Sequence, residues 1–200
     1  MYKKINSKRM TDNIDQIEKI PLSSQDIRDS MDEKVKVIRY GELSEYNNID
    51  DLLYPYNNVA ILYQTKPNYG HWTCIFKRKV KRGEKGYRRG TNEEIEFFDP
   101  YGIMLDDELE FIPYQFRVES NQVNKYLTHL LMKSKYPINI NNIPFQQLKD
   151  GVNSCGRHVC LRMLLKNMSL KDYTKIFMSG NQKKYGGANS DATVSLLSEM

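Results

Sequence analysis

Cys155 offers the clearest starting point for chemistry. It follows Asn153-Ser154, precedes Gly156, and opens a tract, RHVCLRMLL, with the composition of a helix. A thiol at a helix N-terminus meets unpaired backbone N–H groups whose partial positive charge favours the thiolate. Gly156, lacking a Cβ, leaves room for a substrate backbone. Cys160, deeper in the helix among apolar neighbours, and Cys74, in mid-strand, read as core thiols. A thiol nucleophile needs a base, and often a third group that fixes the base in one tautomer. Three histidines compete for that role. His158 lies one turn beyond Cys155, His129 sits in an amphipathic segment beside Leu130 and Leu131, and His71 follows a glycine at the start of a strand. If 71–80 and 94–98 pair as a hairpin, Asp99 at the end of the second strand lies opposite His71 at the start of the first. Cys155 as nucleophile, His71 as base and Asp99 as orienting acid is the expected constellation.

The elements that must position these groups follow from periodicity and punctuation. KVKVIRY (34–40) largely alternates polar and apolar residues, as a half-buried strand does. VAILYQ (59–64) is an apolar run suited to a buried strand, and Lys66–Gly70 is a turn by composition. HWTCIFKRKV then leads through Gly83, Gly86 and Gly90 to EIEFF (94–98), together a long hairpin. Residues 121–134 carry Val123, Tyr126, Leu127, Leu130 and Leu131 on one helical face. Helices are also expected near 12–19, over 27–31 with Ser23 or Ser24 as cap, as a turn at 48–54, at 155–166 and at 169–178 capped by Ser169. Within 155–166, Val159, Leu161, Met163, Leu164 and Leu165 are the expected buried face. Ile138–Ile143 reads as a polar, Asn-rich stretch. Residues 1–30 form an N-terminal arm with a short helix, and 31–200 the main domain.

Two hundred residues suffice for one domain with a working core. The first ten residues are charged but lead into no apolar segment, which gives no sign of a secretory signal. The longest apolar runs, 59–63 and 159–165, are too short to span a bilayer. Three cysteines cannot all pair, so free thiols in a reducing compartment are expected. The formal charge is +5, but eight basic residues against Glu84 alone lie between Lys77 and Arg89. The basicity is therefore local, and the rest of the chain is slightly acidic.

His71-Trp72, a strand ending in Phe98-Asp99-Pro100, and a glutamine shortly before Ser154-Cys155-Gly156 resemble, in this order, the adenovirus-protease and ubiquitin-like-protease clan of cysteine proteases. The Cys-Gly-Arg-His tract is most similar to maturation proteases of virophages, large DNA viruses and related mobile elements. The resemblance covers about 54–165. It implies an α+β fold: one domain with a central, mixed and mostly antiparallel sheet flanked by helices, and the nucleophile at the N-terminus of a buried helix. It implies Gln147 as a side-chain oxyanion donor beside the Cys155 N–H, with Gln146 the rival because Gln147 stands farther from Cys155 than the clan's spacing. It implies that Trp72, with Gly156, walls a narrow groove that accepts Gly-Gly; a simple core tryptophan is the alternative. The expected activity is cleavage of capsid or core precursor proteins in a virus factory, host cytoplasm or virion. Removal of ubiquitin-like modifiers and acyl transfer are the rival activities of similar catalytic order.

The chemistry calls for no cofactor, metal or membrane; whether DNA or a peptide activates the chain is open. Lys77, Arg78, Lys79, Lys81, Arg82, Lys85, Arg88 and Arg89 form a candidate phosphate-contacting loop, against which stands the plainer reading of a solvated hairpin tip. Gly186-Gly187 is either a turn or a self-processing site.

Overall fold

Branched and aromatic residues dominate two consecutive runs, and both become long strands. The computed structural model describes residues 14, 16–84, 87, 92–178 and 190–197. In it β1 (Lys36–Arg39) lies parallel to β2 (Asn58–Lys66), and β3 (Tyr69–Lys79) lies antiparallel to both β2 and β4 (Glu93–Phe98). β5 (Ile138–Ile140), within the stretch read only as polar, adds parallel to β4. The strand order is β1-β2-β3-β4-β5. The helices in chain order are α1 (Ser24–Ser30), α2 (Ile49–Leu53), α3 (Tyr114–Glu119), α4 (Tyr126–Met132), α5 (Cys155–Leu164), α6 (Leu170–Met178) and α7 (Ser190–Leu197), with 3₁₀ turns at Tyr40–Glu45 and Leu105–Phe111. The protein is thus a single α+β domain with a mixed five-stranded sheet flanked by helices.

Successive strand residues point to opposite faces, and here both faces are covered. Ala60, Leu62, Trp72, Cys74, Phe76 and Phe98 pack with Val159, Met163, Tyr173, Phe177 and Val194 of α5, α6 and α7. Val59, Ile61, Tyr63, Ile75 and Phe97 enter a second core with Leu52, Leu109, Leu127 and Leu131. A sheet buried on both sides explains why the 59–63 run is unbroken rather than alternating.

Ser23 caps α1 through a capping box with Asp26, and Ile27 is fully buried. The expected arm therefore belongs to the body of the domain from α1 onward. The helix expected over 121–134 is confined to Tyr126–Met132. Asn121 has φ of 55°, a left-handed conformation that interrupts a helix, and Val123 is exposed. α5 also turns differently from expectation. Leu164 is exposed and Leu161 half-buried, whereas Arg157, His158 and Arg162 are buried. Specific partners for those polar groups override the apolar count.

Candidate active site

The site lies where the β2–β3 hairpin, the end of β4 and the start of α5 converge. His71, on β3, stands directly opposite Tyr63 of β2. The approach depends on Gly70, since a Cβ there would sit inside the Tyr63 carbonyl. His71 Nε2 and Asp99 Oδ1 are 2.9 Å apart, and both side chains are buried. Asp99 is held from three sides. Oδ1 accepts the Tyr101 N–H at 2.7 Å, its backbone N–H donates to Asn141 Oδ1 at 2.7 Å, and its carbonyl accepts Asn141 Nδ2 at 2.8 Å. The Tyr101 ring stacks on the imidazole, with centroids 4.2 Å apart. The ring is therefore fixed in tilt as well as direction.

Nε2 is engaged by Asp99, which leaves the buried Nδ1 without a hydrogen-bond partner among the described residues. Cys155 lies beside the ring and couples to it electrostatically. Burial alone would push the imidazole pKa down, but the adjacent Asp99 and Cys155 outweigh it and hold the pKa well above its ordinary value. An imidazolium so favoured can balance a thiolate at Cys155, the first residue of α5. Cys74 and Cys160 differ, because burial raises the Cys74 thiol far above its usual range and the Cys160 thiol to about 12. His158 is fully buried among Phe145 and Phe177 and is pushed down by burial despite Asp191 at 3.2 Å. It is a core histidine.

The loop before Cys155 is braced by a residue with no signal in the sequence. Asp191 of α7 accepts Ser154 Oγ at 2.5 Å, and also the backbone N–H of Gln147 at 3.0 Å. The Gln147 side chain is exposed, whereas Gln146 is buried, with 3% of its surface exposed. Gln146 Nε2 donates to Tyr101 Oη at 3.3 Å and to the Val152 carbonyl at 3.2 Å. The paired N–H groups of Phe145 and Gln146, both on the Pro100 carbonyl, turn the loop so that position 146 points inward.

The room left by Gly156 is filled by the chain itself. A Cβ there would stand 2.8 Å from Leu22 Cβ. The Leu22 carbonyl accepts the Trp72 indole N–H at 3.0 Å, and Trp72 is buried. Nearby carbonyls are also held: Glu18 by Asn153 N–H (2.7 Å), Lys19 by Asn153 Nδ2 (2.9 Å) and Ile20 by Arg157 Nη1 (2.7 Å). A groove of about 680 Å³ runs alongside, lined among others by Leu22, Arg39, Leu62, Tyr69, Gly70 and Trp72.

The basic tract is less available than its composition suggests. Arg78 is buried and paired with Glu94 at 2.7 Å and Glu84 at 2.8 Å, and Lys77 bonds Asp50 and the Tyr136 hydroxyl, each at 3.1 Å. Neither is free for phosphate. Lys79, Lys81 and Arg82 are exposed. Lys85, Arg88, Arg89 and Gly186-Gly187 lie outside the described residues.

Glu108, in the 3₁₀ turn Leu105–Phe111, is a further carboxyl that sequence reasoning missed. Its Oε1 lies 3.8 Å from His71 Nε2. One donor atom each of His71, Asp99 and Glu108 fall within 4.8 Å of one another, a spacing a small cation would fit. We assign the cluster to proton chemistry, because Nε2 and Oδ1 already hold each other at hydrogen-bond length.

A buried thiol, imidazole and carboxylate thus meet on a single α+β domain. The chain belongs to the family of the uncharacterized protein V9 of Sputnik virophage, with 37% identity over 158 residues, covering 79% of this chain and 83% of that protein. No protein-family model matches it. A structural comparison aligns the central domain of uncharacterized Lpg1148 from Legionella pneumophila at 16% identity and a TM-score of 0.32, covering 82% of this chain and 86% of that one. Among the described residues no helix is long and apolar enough to cross a membrane.

Proposed function

We propose that this virophage-family protein is a cysteine endopeptidase that cleaves capsid or core precursor proteins at Gly-Gly-containing sites in the virus factory or the virion. The observation that carries the reading is the His71 imidazole, locked between Asp99 and Tyr101 with its second nitrogen free, beside a thiol at the head of a helix. In the proposed reaction His71 takes the thiol proton and the Cys155 thiolate attacks the scissile carbonyl carbon. The C–N bond then breaks, with the His71 proton passing to the leaving nitrogen and a thioester remaining. Water, deprotonated by His71, attacks the thioester carbonyl carbon; the C–S bond breaks, the His71 proton passes to the Cys155 sulfur, and the acid leaves and gives its proton to solvent. The main-chain carbonyls of Glu18, Lys19, Ile20 and Leu22, held by Asn153, Arg157 and Trp72, support a peptide as the natural occupant of this surface.

The oxyanion donor of the proposed reaction is the buried Gln146 rather than the exposed Gln147, its amide exchanging the long 3.3 Å bond to Tyr101 Oη for the oxyanion as charge develops. Gln146→Ala is expected to lower kcat about 10²–10³-fold, the usual cost of one oxyanion-hole donor. Gln147→Ala should leave kcat nearly unchanged, and steady-state kinetics on one Gly-Gly substrate compares the two.

The proposal is tested by incubating the wild-type chain with virophage capsid precursors and Gly-Gly reporter peptides, and by mass spectrometry of thiol-probe adducts. Cleavage next to Gly-Gly with labelling at Cys155 is expected. Release of ubiquitin-like modifiers or acetyl transfer from acetyl-CoA in place of endopeptidase cleavage would transfer the same centre to those activities. No selective labelling of Cys155 and no reaction with any of them would end the enzyme reading.

A further inference from the structure

Two buried carboxyl groups crowd one imidazole nitrogen. Asp99 is fully buried and Glu108 is 6% exposed. Asp99 Oδ1 accepts two donors, Nε2–H of His71 and the Tyr101 N–H, so its negative charge is well supported. Asp99 Oδ2 and Glu108 Oε1 are buried and find no donor on any other described residue. Carboxylate oxygens only accept, and an acceptor buried without a donor is destabilising. A proton shared between the two carboxyls satisfies both groups. When like charges are forced together, one of the pair is held neutral to unusually high pH. The supported charge stays on Asp99, so the proton resides on Glu108.

We propose that Glu108 is a positioning residue of the catalytic centre: protonated, it donates to Asp99 and leaves His71 facing a single negative charge, and ionised, it adds a second. The proposal rests on the protease reading. Burial, together with the Asp99 charge and against the opposing pull of His71, raises the Glu108 carboxyl to about 7. The sign is that of a raised acid: neutral below about 7, charged above. In the charged form the imidazolium holds its proton more tightly, which favours the thiolate but slows delivery of that proton to the leaving nitrogen.

The other titratable groups around the turn are accounted for. Tyr63 of β2 and Tyr101 interact electrostatically with Glu108. On α4, packed against the turn, the ionisable side chains are Tyr126 and His129. On the turn itself Asp107 and Glu110 are exposed, and Asp106 is engaged by the Tyr40 hydroxyl at 2.6 Å and the Thr128 N–H at 2.9 Å.

The experiment is the pH dependence of Cys155 alkylation by iodoacetamide in the full chain, wild type against Glu108→Gln, with Cys74 and Cys160 as internal controls. Glutamine imitates the protonated acid. The wild type is expected to show an inflection near 7, and E108Q to lose it, following the wild type below that pH and departing above. Superimposable profiles would overturn the proposal while preserving the protease reading. Failure of Cys155 to react faster than both control thiols would remove the protease reading, and this one with it. Carboxyl ¹³C NMR of the unsubstituted chain needs no variant to fold: a Glu108 midpoint near 7 is expected, and one in the ordinary range of about 4.3 overturns the inference.

Discussion

Alanine at Cys155 or at His71 is expected to slow cleavage of a Gly-Gly substrate on the order of 10⁶-fold, the scale seen when a triad nucleophile or base is removed. The two losses do not add, because each group is useless without the other. A thiol without a base is largely protonated at neutral pH, and a base without a nucleophile has only water to activate. The double variant should therefore be no slower than either single one, by roughly the measure that makes members of a triad grossly non-additive. Asp99→Asn should cost less, at most about 10⁴-fold, since an amide oxygen can still accept Nε2–H and the Tyr101 N–H but no longer carries the charge that balances the imidazolium. The Tyr101 stack would still hold the ring, and Asn141 would still hold the backbone of residue 99. Single-turnover assays, with circular dichroism to confirm folding, provide the comparison. A Cys155→Ala chain that still cleaves at more than a trace of the wild-type rate sinks the mechanism.

The three residues of this prediction were readable in the sequence for particular reasons. Cys155 sits in a helix-entry tract, and His71 and Asp99 sit at facing ends of two strands joined by a glycine-bearing loop. Hairpin pairing is local, so juxtaposition follows from strand pattern alone. What surrounds the centre was not readable, because it arrives from distant segments. Asp191 is 37 residues beyond the Ser154 it braces, and Glu108 enters on a 3₁₀ turn with no apolar period to announce it. Asn141 looked like one asparagine among several in a polar stretch, yet it is fully buried and clamps the Asp99 backbone. The choice between Gln146 and Gln147 turns on the path of an irregular loop, which neither propensity nor periodicity encodes. Lys77 and Arg78 were misassigned for a related reason. Charge at a hairpin looks solvated in a sequence, and only tertiary structure reveals that Glu84, Glu94 and Asp50 have claimed it.

The same blindness hid a buried ion pair between strand and helix. Arg162 and Glu96 are both fully buried and joined twice, Nε to Oε1 at 2.7 Å and Nη2 to Oε2 at 2.8 Å. Two of the other three guanidinium protons go to the carbonyls of Leu165 at 2.9 Å and Met168 at 3.0 Å, and the plane lies near the rings of Phe76 and Tyr173. Arg162→Ala would strand Glu96, whose pKa burial already raises against the opposing pull of Arg162, in an apolar layer with only Arg78 near, at 3.7 Å. Breaking one side of such a pair costs about 3–5 kcal/mol. The expected result is an unfolding free energy lowered by that amount, read as a fall in the denaturation midpoint at unchanged slope. Removing both charges, as in Glu96→Gln with Arg162→Met, should recover much of the loss, because the stranded charge rather than the lost attraction is the main cost. A midpoint unchanged in Arg162→Ala would show that the pair does not hold the fold. The pair also bears on chemistry. Glu96 lies on β4, three residues before Asp99, and Arg162 lies on α5, two turns beyond Cys155. The bidentate contact therefore ties the strand that carries the orienting acid to the helix that carries the nucleophile.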